Sequence, residues 1–395
     1  MPFVALNKMK NTNKPAAMKF IDLHAQFARI EDDIRAAIDR VLQHGQFIMG
    51  PEVFELEREL AEYCGVAHAV SAASGTDALL IALMARGVGR GDAVIVPPFT
   101  FVATAEVVQL LGATAVFADV DADTFNLDPQ KLHDAAARVR REGKLKLRGV
   151  IPVDLFGLPA DYDAIAPIAE EFGLFVLSDA AQSFGGARGG VRAGAFGDAA
   201  ATSFFPAKPL GAYGDGGALF TDDDDQAELA RSIRIHGMGE DRYDNIRTGV
   251  TGRLDTMQAA VLRCKLRVFD GELAARRRIA ARYTRELEGV VKTPRIPEGA
   301  QSAWAQYTLR TKSGARDEIC EKLRARGIPT ALYYPRPLHR QLAFASAEGA
   351  GAEMPVSEQL AREVFSLPMH PYLAEEAQGE IIAAVKDAAA SARAA

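Results

Sequence analysis

The sequence predicts an α/β protein: a mostly parallel sheet flanked by helices, followed by a smaller α+β domain. Two observations carry this prediction. From about residue 66 to 221, short β-rich runs alternate with helical stretches, the rhythm of a sheet built from strand–helix–strand units. After about residue 256 the pattern changes to a long arginine-rich helical stretch, a strand in "QYTLRTK", a helix in "RDEICEKLRARGI" and another extended run. With 395 residues and 48% hydrophobic content, the chain has material for a large core. The expected division is a leader at 1–17, a large domain at 18–255 and a small domain at 256–395.

In chain order, the first seventeen residues are polar around a short apolar patch and read as a disordered leader, with "MKFIDL" at Met18 as the natural start. "GPEVFELERELAEYCG" puts Pro51 in a first turn, sets Val53, Leu56 and Leu60 on one face, and closes at Gly65, so it reads as an amphipathic helix. The strands follow as "HAVS", "AVIVP", "AVFADV", "GVIPVD", "LFVLSDA", "AAATSFF" and "GALFT". Between them, 128–142 and 161–172 each open on an aspartate suited to capping and carry apolar residues at helical spacing. "GVGRGD" precedes a strand where a dinucleotide fingerprint would follow one, and reads as a turn. The aspartates of "TDDDDQAELARSI" read as the favoured acidic start of a helix, without calcium.

A net charge of −6 without a dense basic run argues against nucleic acid or an anionic membrane as the main partner and favours small molecules. Cys64, Cys264 and Cys320 are scattered and free of C-x-x-C spacing, which fits reduced thiols in the cytoplasm. The seven histidines form no metal-ligand pattern, and no apolar run is long enough for a membrane span. No metal is expected.

Three features point to chemistry. Lys208 stands between Pro206 and Pro209, so it cannot lie inside a helix or central strand and belongs to a stiff loop; taken alone it is an ordinary solvated lysine. Asp179 ends a fully apolar strand, where open α/β sheets bind ligands, although it could equally cap a helix. "SAASGTDALLIAL" runs from a strand into a helix, so amides near Ser74, Gly75 and Thr76 either favour a phosphate or simply open a capped helix. An amine, a fixed anion for a pyridine nitrogen and a phosphate turn, each at a strand end, are the set that pyridoxal 5′-phosphate requires. Phe101, after "AVIVP", could stack on the same ring.

From Met18 onward the chain resembles the nucleotide-sugar aminotransferases of the DegT/DnrJ family, of the aspartate-aminotransferase-like fold called fold type I. The motifs are "SGTDAL", "PPFTFVATAE", "SDAAQSFG", "SFFPAKPLGAYGDGGA", "GRLDTMQAAVL" and "YYPRPLHRQ", in the family's order. The resemblance implies that Lys208 binds the cofactor covalently, Asp179 partners its ring nitrogen and Gln182 lies near its ring hydroxyl. It also implies that Gly75, Thr76 and Ser203 hold the phosphate and that Phe101 covers the ring. It implies a homodimer in which the partner contributes the segment equivalent to 248–254. There the family commonly has Gly-x-Asn-x-Arg, whereas this chain has Thr251, a single hydroxyl on a shorter side chain.

Arg253 and His339 could contact a sugar carboxylate or diphosphate, with His339 equally a packed loop residue, and Tyr333 and Tyr334 could be core or sugar platform. "GDGGA" resembles members that aminate C3, and the wider motif resembles enzymes acting on UDP-2-acetamido-2-deoxy-3-oxoglucuronate, on the path to bacterial surface polysaccharide (O-antigen) sugars. Glutamate is the donor the resemblance implies. A dTDP-3-oxo-6-deoxyhexose aminotransferase, a C4 aminotransferase and a non-enzymatic regulatory protein carrying the cofactor are the alternatives.

Overall fold

The computed structural model describes residues 18–241, 243–312, 314–345, 347 and 352–394; the expected leader at 1–17 lies outside the described residues. Two helices, α1 (Leu23–Arg29) and α2 (Glu31–His44), precede α3 (Pro51–Cys64), which has Pro51 in its first turn and ends at left-handed Gly65 (φ 78°).

The central sheet holds β1 (His68–Ala72), β2 (Asp92–Val96), β3 (Thr114–Phe117), β4 (Lys146–Val150), β5 (Phe175–Asp179), β8 (Ala199–Ser203) and β9 (Gly217–Thr221), in the order β1-β9-β8-β5-β4-β2-β3. Only β9 runs against its neighbours, so the other six strands point the same way. The short β6 (Ala187–Arg188) and β7 (Val191–Arg192) form a separate three-stranded sheet with β10 (Ala300–Gln301).

Helices cover both faces because successive strand residues point to opposite sides. Val94, Val96, Leu177, Ala201 and Leu219 pack on α4 (Gly75–Ala85), α5 (Ala103–Leu110) and α8 (Asp224–Ile233). On the other face, Ala93, Ile95 and Val176 pack on α6 (Pro129–Glu142) and α7 (Tyr162–Phe172), while Ala200 and Phe220 pack on α3 and α9 (Thr256–Leu287). Asp128 and Asp161 cap α6 and α7, and the acidic run expected to open a helix opens α8, with Asp223 accepting from the amide of Gln226 at 3.0 Å.

The C-terminal unit is an antiparallel pair, β11 (Tyr307–Arg310) and β12 (Val364–Leu367), with α10 (Ala315–Ala325), α11 (Pro355–Glu363) and α12 (Glu375–Ala394). The expected boundary at residue 255/256 coincides with the start of α9. That 32-residue helix serves both cores: Ala259, Leu262 and Phe269 join the large-unit cluster, and Ile279, Tyr283 and Leu287 join the small one. No helix among the described residues is long and apolar enough to cross a membrane.

Candidate active site

The six co-directional strands deliver their carboxyl ends to one edge of the sheet, where α/β proteins bind ligands. There β1 leads to residues 73–76, β2 to 97–104, β5 ends at Asp179, and β8 ends at Ser203. The antiparallel β9 begins at this edge, and its first residue, Gly217, pairs with both Ala72 and Ser203.

That pairing makes a tight cradle around the start of α4. A Cβ at Gly217 would stand 2.4 Å from the carbonyl oxygen of Ser74, and one at Gly75 would stand 2.7 Å from Cβ of Ser203. Backbone therefore lines the turn where side chains would otherwise crowd it. Ser74 caps the helix, accepting from the Asp77 amide at 3.0 Å and donating to Asp77 Oδ2 at 2.8 Å. The first-turn amides of Gly75 and Thr76 have no acceptor within the helix, an arrangement suited to phosphate oxygens.

Asp179 is 6% exposed. Its Oδ2 accepts from the Thr104 hydroxyl at 2.7 Å, Thr104 lies 3.2 Å from the Thr100 hydroxyl, and its Oδ1 accepts from the Ala181 amide at 3.2 Å. Burial raises this carboxyl above its usual range, and the Thr104 and Ala181 bonds and the nearby Lys208 ammonium act against that rise. Burial likewise pulls the half-buried Lys208 amine below its ordinary value, with the Asp179 carboxylate opposing. The two groups expected to serve one ligand thus sense each other's charge.

Around them, Gln182 accepts from the Phe156 amide at 2.8 Å and donates to the Tyr334 hydroxyl at 3.2 Å. The Tyr334 ring lies 6.2 Å from that of Phe99 and 6.5 Å from that of Phe101, and Tyr333 follows at 5.8 Å. Phe101 is 53% exposed, which leaves a ring face open to a ligand. Behind Asp179 sits a second carboxylate: Asp154 accepts from Ser183 Oγ (2.6 Å), Tyr162 Oη (2.8 Å) and the Ala160 amide (2.8 Å), while its own amide donates to the Asp179 carbonyl (3.0 Å).

Three further expected site residues have surroundings of their own. Thr251 is exposed and pairs with His236 Nε2 at 2.8 Å, on a segment anchored to the end of β1 by the Ala73 amide, which donates to the Gly252 carbonyl. Arg253 is half-buried, with Nε enclosed and without a hydrogen-bond partner. The His339 side chain is wholly enclosed, 3.1 Å from Glu358 and edge-on to Phe117, and so is packed among protein groups. Conversely, the sequence gives little sign of Thr104, in the first turn of α5, whereas Asp154 is a polar residue four positions beyond β4, near the kind of strand end that marks Asp179.

A half-buried amine within electrostatic reach of a buried carboxylate, beside a backbone cradle on a seven-stranded, mostly parallel sheet, defines an enzyme of the pyridoxal-phosphate fold type I class, and the residues present fit that cofactor. The chain belongs to the DegT/DnrJ/EryC1/StrS aminotransferase family, whose model matches residues 28–386. It is 50% identical over 357 residues to the UDP-2-acetamido-2-deoxy-3-oxo-D-glucuronate aminotransferase of Pseudomonas aeruginosa, covering 90% of this chain and 96% of that relative. A DegT DnrJ EryC1 StrS aminotransferase from Brucella abortus superposes with a TM-score of 0.92 at 53% identity, covering 94% and 99% of the two chains. NtdA of Bacillus subtilis, solved with bound cofactor PMP, superposes with a TM-score of 0.86 at 26% identity, covering 96% of this chain and 87% of that one. The protein is accordingly a pyridoxal-phosphate-dependent sugar aminotransferase.

Proposed function

We propose that the protein moves an amino group from glutamate to C3 of UDP-2-acetamido-2-deoxy-3-oxo-D-glucuronate, in the synthesis of amino sugars for bacterial surface polysaccharide, O-antigen among them. The observation that carries the substrate is the 50% identity to the Pseudomonas aeruginosa enzyme of that name over 96% of its length, and the "GDGGA" tract after Lys208 agrees with it. A cytoplasmic location follows from the reduced-thiol reading of the cysteines and a substrate made on a nucleotide carrier.

The bound cofactor supplies an electron sink that lets an amino group pass from donor to acceptor. Asp179 holds the proton on the ring nitrogen, and Thr104 orients that carboxylate. Lys208 would hold the cofactor through Nζ, and the same nitrogen, when free, would take and return the proton at the reacting carbon. Its depressed basicity favours the neutral amine these steps need. Ser74, Gly75, Thr76 and Ser203 would hold the phosphate, Phe101 would cover the ring, and Gln182, which donates to Tyr334, would border the ring's hydroxyl edge. Two copies complete each site, the partner's equivalent of the 248–254 segment bringing Thr251 and Arg253, whose guanidinium matches a sugar carboxylate or diphosphate. Tyr333 borders the sugar.

A panel of nucleotide 3-keto and 4-keto sugars, assayed with glutamate, tests this reading. Preferential turnover of the UDP-linked 3-keto-uronate is expected. Preference for a dTDP-linked 6-deoxy sugar or a 4-keto sugar would overturn the substrate assignment. Failure of glutamate to convert the bound cofactor to its amine form would favour a regulatory role.

A further inference from the structure

The loop that carries Lys208 is fastened by a second, buried lysine. Residues 204–216 fold back on themselves: Phe204 donates to the Gly216 carbonyl, Ala212 to the Phe204 carbonyl, both at 2.7 Å, and Lys208 to the Phe205 carbonyl at 2.8 Å. Gly211 is wedged into this turn, where a Cβ would stand 2.4 Å from the Pro206 carbonyl oxygen. Lys265, on α9 and 1% exposed, donates from Nζ to the Gly211 carbonyl at 2.6 Å, with Nζ 4.1 Å from the centroid of the Tyr213 ring. Gln258, seven residues earlier and so on the same helix face, accepts from the Tyr213 amide at 2.8 Å. One helix thus grips two positions of the loop.

Among the described residues no carboxylate lies within ion-pair distance of Lys265 Nζ, and burial lowers its amine to about 8 against the opposing field of Glu272. A cation held out of water without a counter-ion is destabilising, and an apolar side chain of similar length would fill the space more cheaply. Packing therefore gives no reason for lysine here, whereas a charge-assisted bond to one carbonyl of the Lys208 loop does.

We infer that Lys265 is a positioning residue that, through the Gly211 carbonyl, fixes the turn on which Lys208 meets the cofactor. The inference rests on the reading of Lys208 as the attachment residue. Its test compares Lys265→Met, Lys265→Gln and Lys208→Ala. In cofactor-free Lys265→Met, hydrogen exchange across 204–216 is expected to speed up about tenfold or more, the loss of one charge-assisted bond, with the central sheet unchanged. The rate of covalent capture of added pyridoxal phosphate, and kcat, should fall about tenfold to a hundredfold with KM for the sugar within about twofold. Lys265→Gln, which keeps a donor, should lie between, and it serves in place of Lys265→Met if that variant does not fold. Wild-type loop exchange and capture rate in the replacement, or loosening spread evenly over the sheet, would overturn the inference. An active Lys208→Ala would instead defeat the reading beneath it.

Discussion

Thr104 donates its hydroxyl to Asp179 Oδ2 across 2.7 Å, and both side chains are buried at the carboxyl edge of the sheet. The bond fixes the carboxylate's direction and favours its charged form against the cost of burial. Replacing Thr104 by valine keeps the shape and removes the donor. A hydrogen bond to a charged group contributes about 1.5–3 kcal/mol, so Thr104→Val should weaken cofactor binding about tenfold to a hundredfold, as read by titrating the cofactor-free protein.

Gly75 is a steric test of the phosphate cradle. Since a Cβ there would stand 2.7 Å from Cβ of Ser203, Gly75→Ala must push the helix start away from β8. The remaining turns of α4 keep their apolar packing on the sheet, so the variant should fold, with a lowered melting temperature. Its affinity for pyridoxal phosphate should fall about tenfold or more, because amide-to-phosphate bonds depend steeply on distance.

Asp154 gives a pH signature. Burial pushes its carboxyl up to about 7, with the neighbouring Asp179 adding to the rise and its three hydrogen bonds opposing it. The folded protein keeps this proton to about pH 7, while an unfolded chain releases it near pH 3.9. Between these values the unfolded state binds fewer protons, so stability falls as pH rises. Asp154→Asn removes that slope. From pH 4 to 8 the wild type should lose stability relative to the variant, by about 4 kcal/mol at most, whereas parallel curves would contradict the assignment.

Glu57 and Arg234 form a buried ion pair that also holds β1: Glu57 accepts from the Ser71 amide (2.9 Å) and hydroxyl (2.7 Å), and Arg234 donates to the Ser71 carbonyl (2.9 Å). Glu57→Gln leaves a buried guanidinium uncompensated and should cost about 3–5 kcal/mol of stability. Replacing both partners by apolar residues of similar volume should recover most of that loss in thermal unfolding.

Much of the large unit was legible because strands buried on both faces read as short apolar runs, and because proline and terminal aspartate mark positions without reference to distant residues. Lys208 and Asp179 stand out as candidates for that reason. Thr104 stands out less: "PPFTFVATAE" offers Thr100 and Thr104, and only the turn after β2 decides which hydroxyl reaches Asp179. Lys265 meets Gly211 across 54 residues, with no local pattern to announce it. An alternation of element types gives no sign that a helix about 48 Å long, starting at Thr256, continues from one core into the other. His339 sat in a family motif, and only packing showed its ring enclosed against Glu358 and Phe117.

The most direct measurement reduces the protein with borohydride in the presence of pyridoxal phosphate and maps the labelled peptide by mass spectrometry. A pyridoxyl group on Lys208 alone, absent after Lys208→Ala, is the predicted result. A label confined to another lysine, or none at all on a protein that still transaminates, would contradict the account.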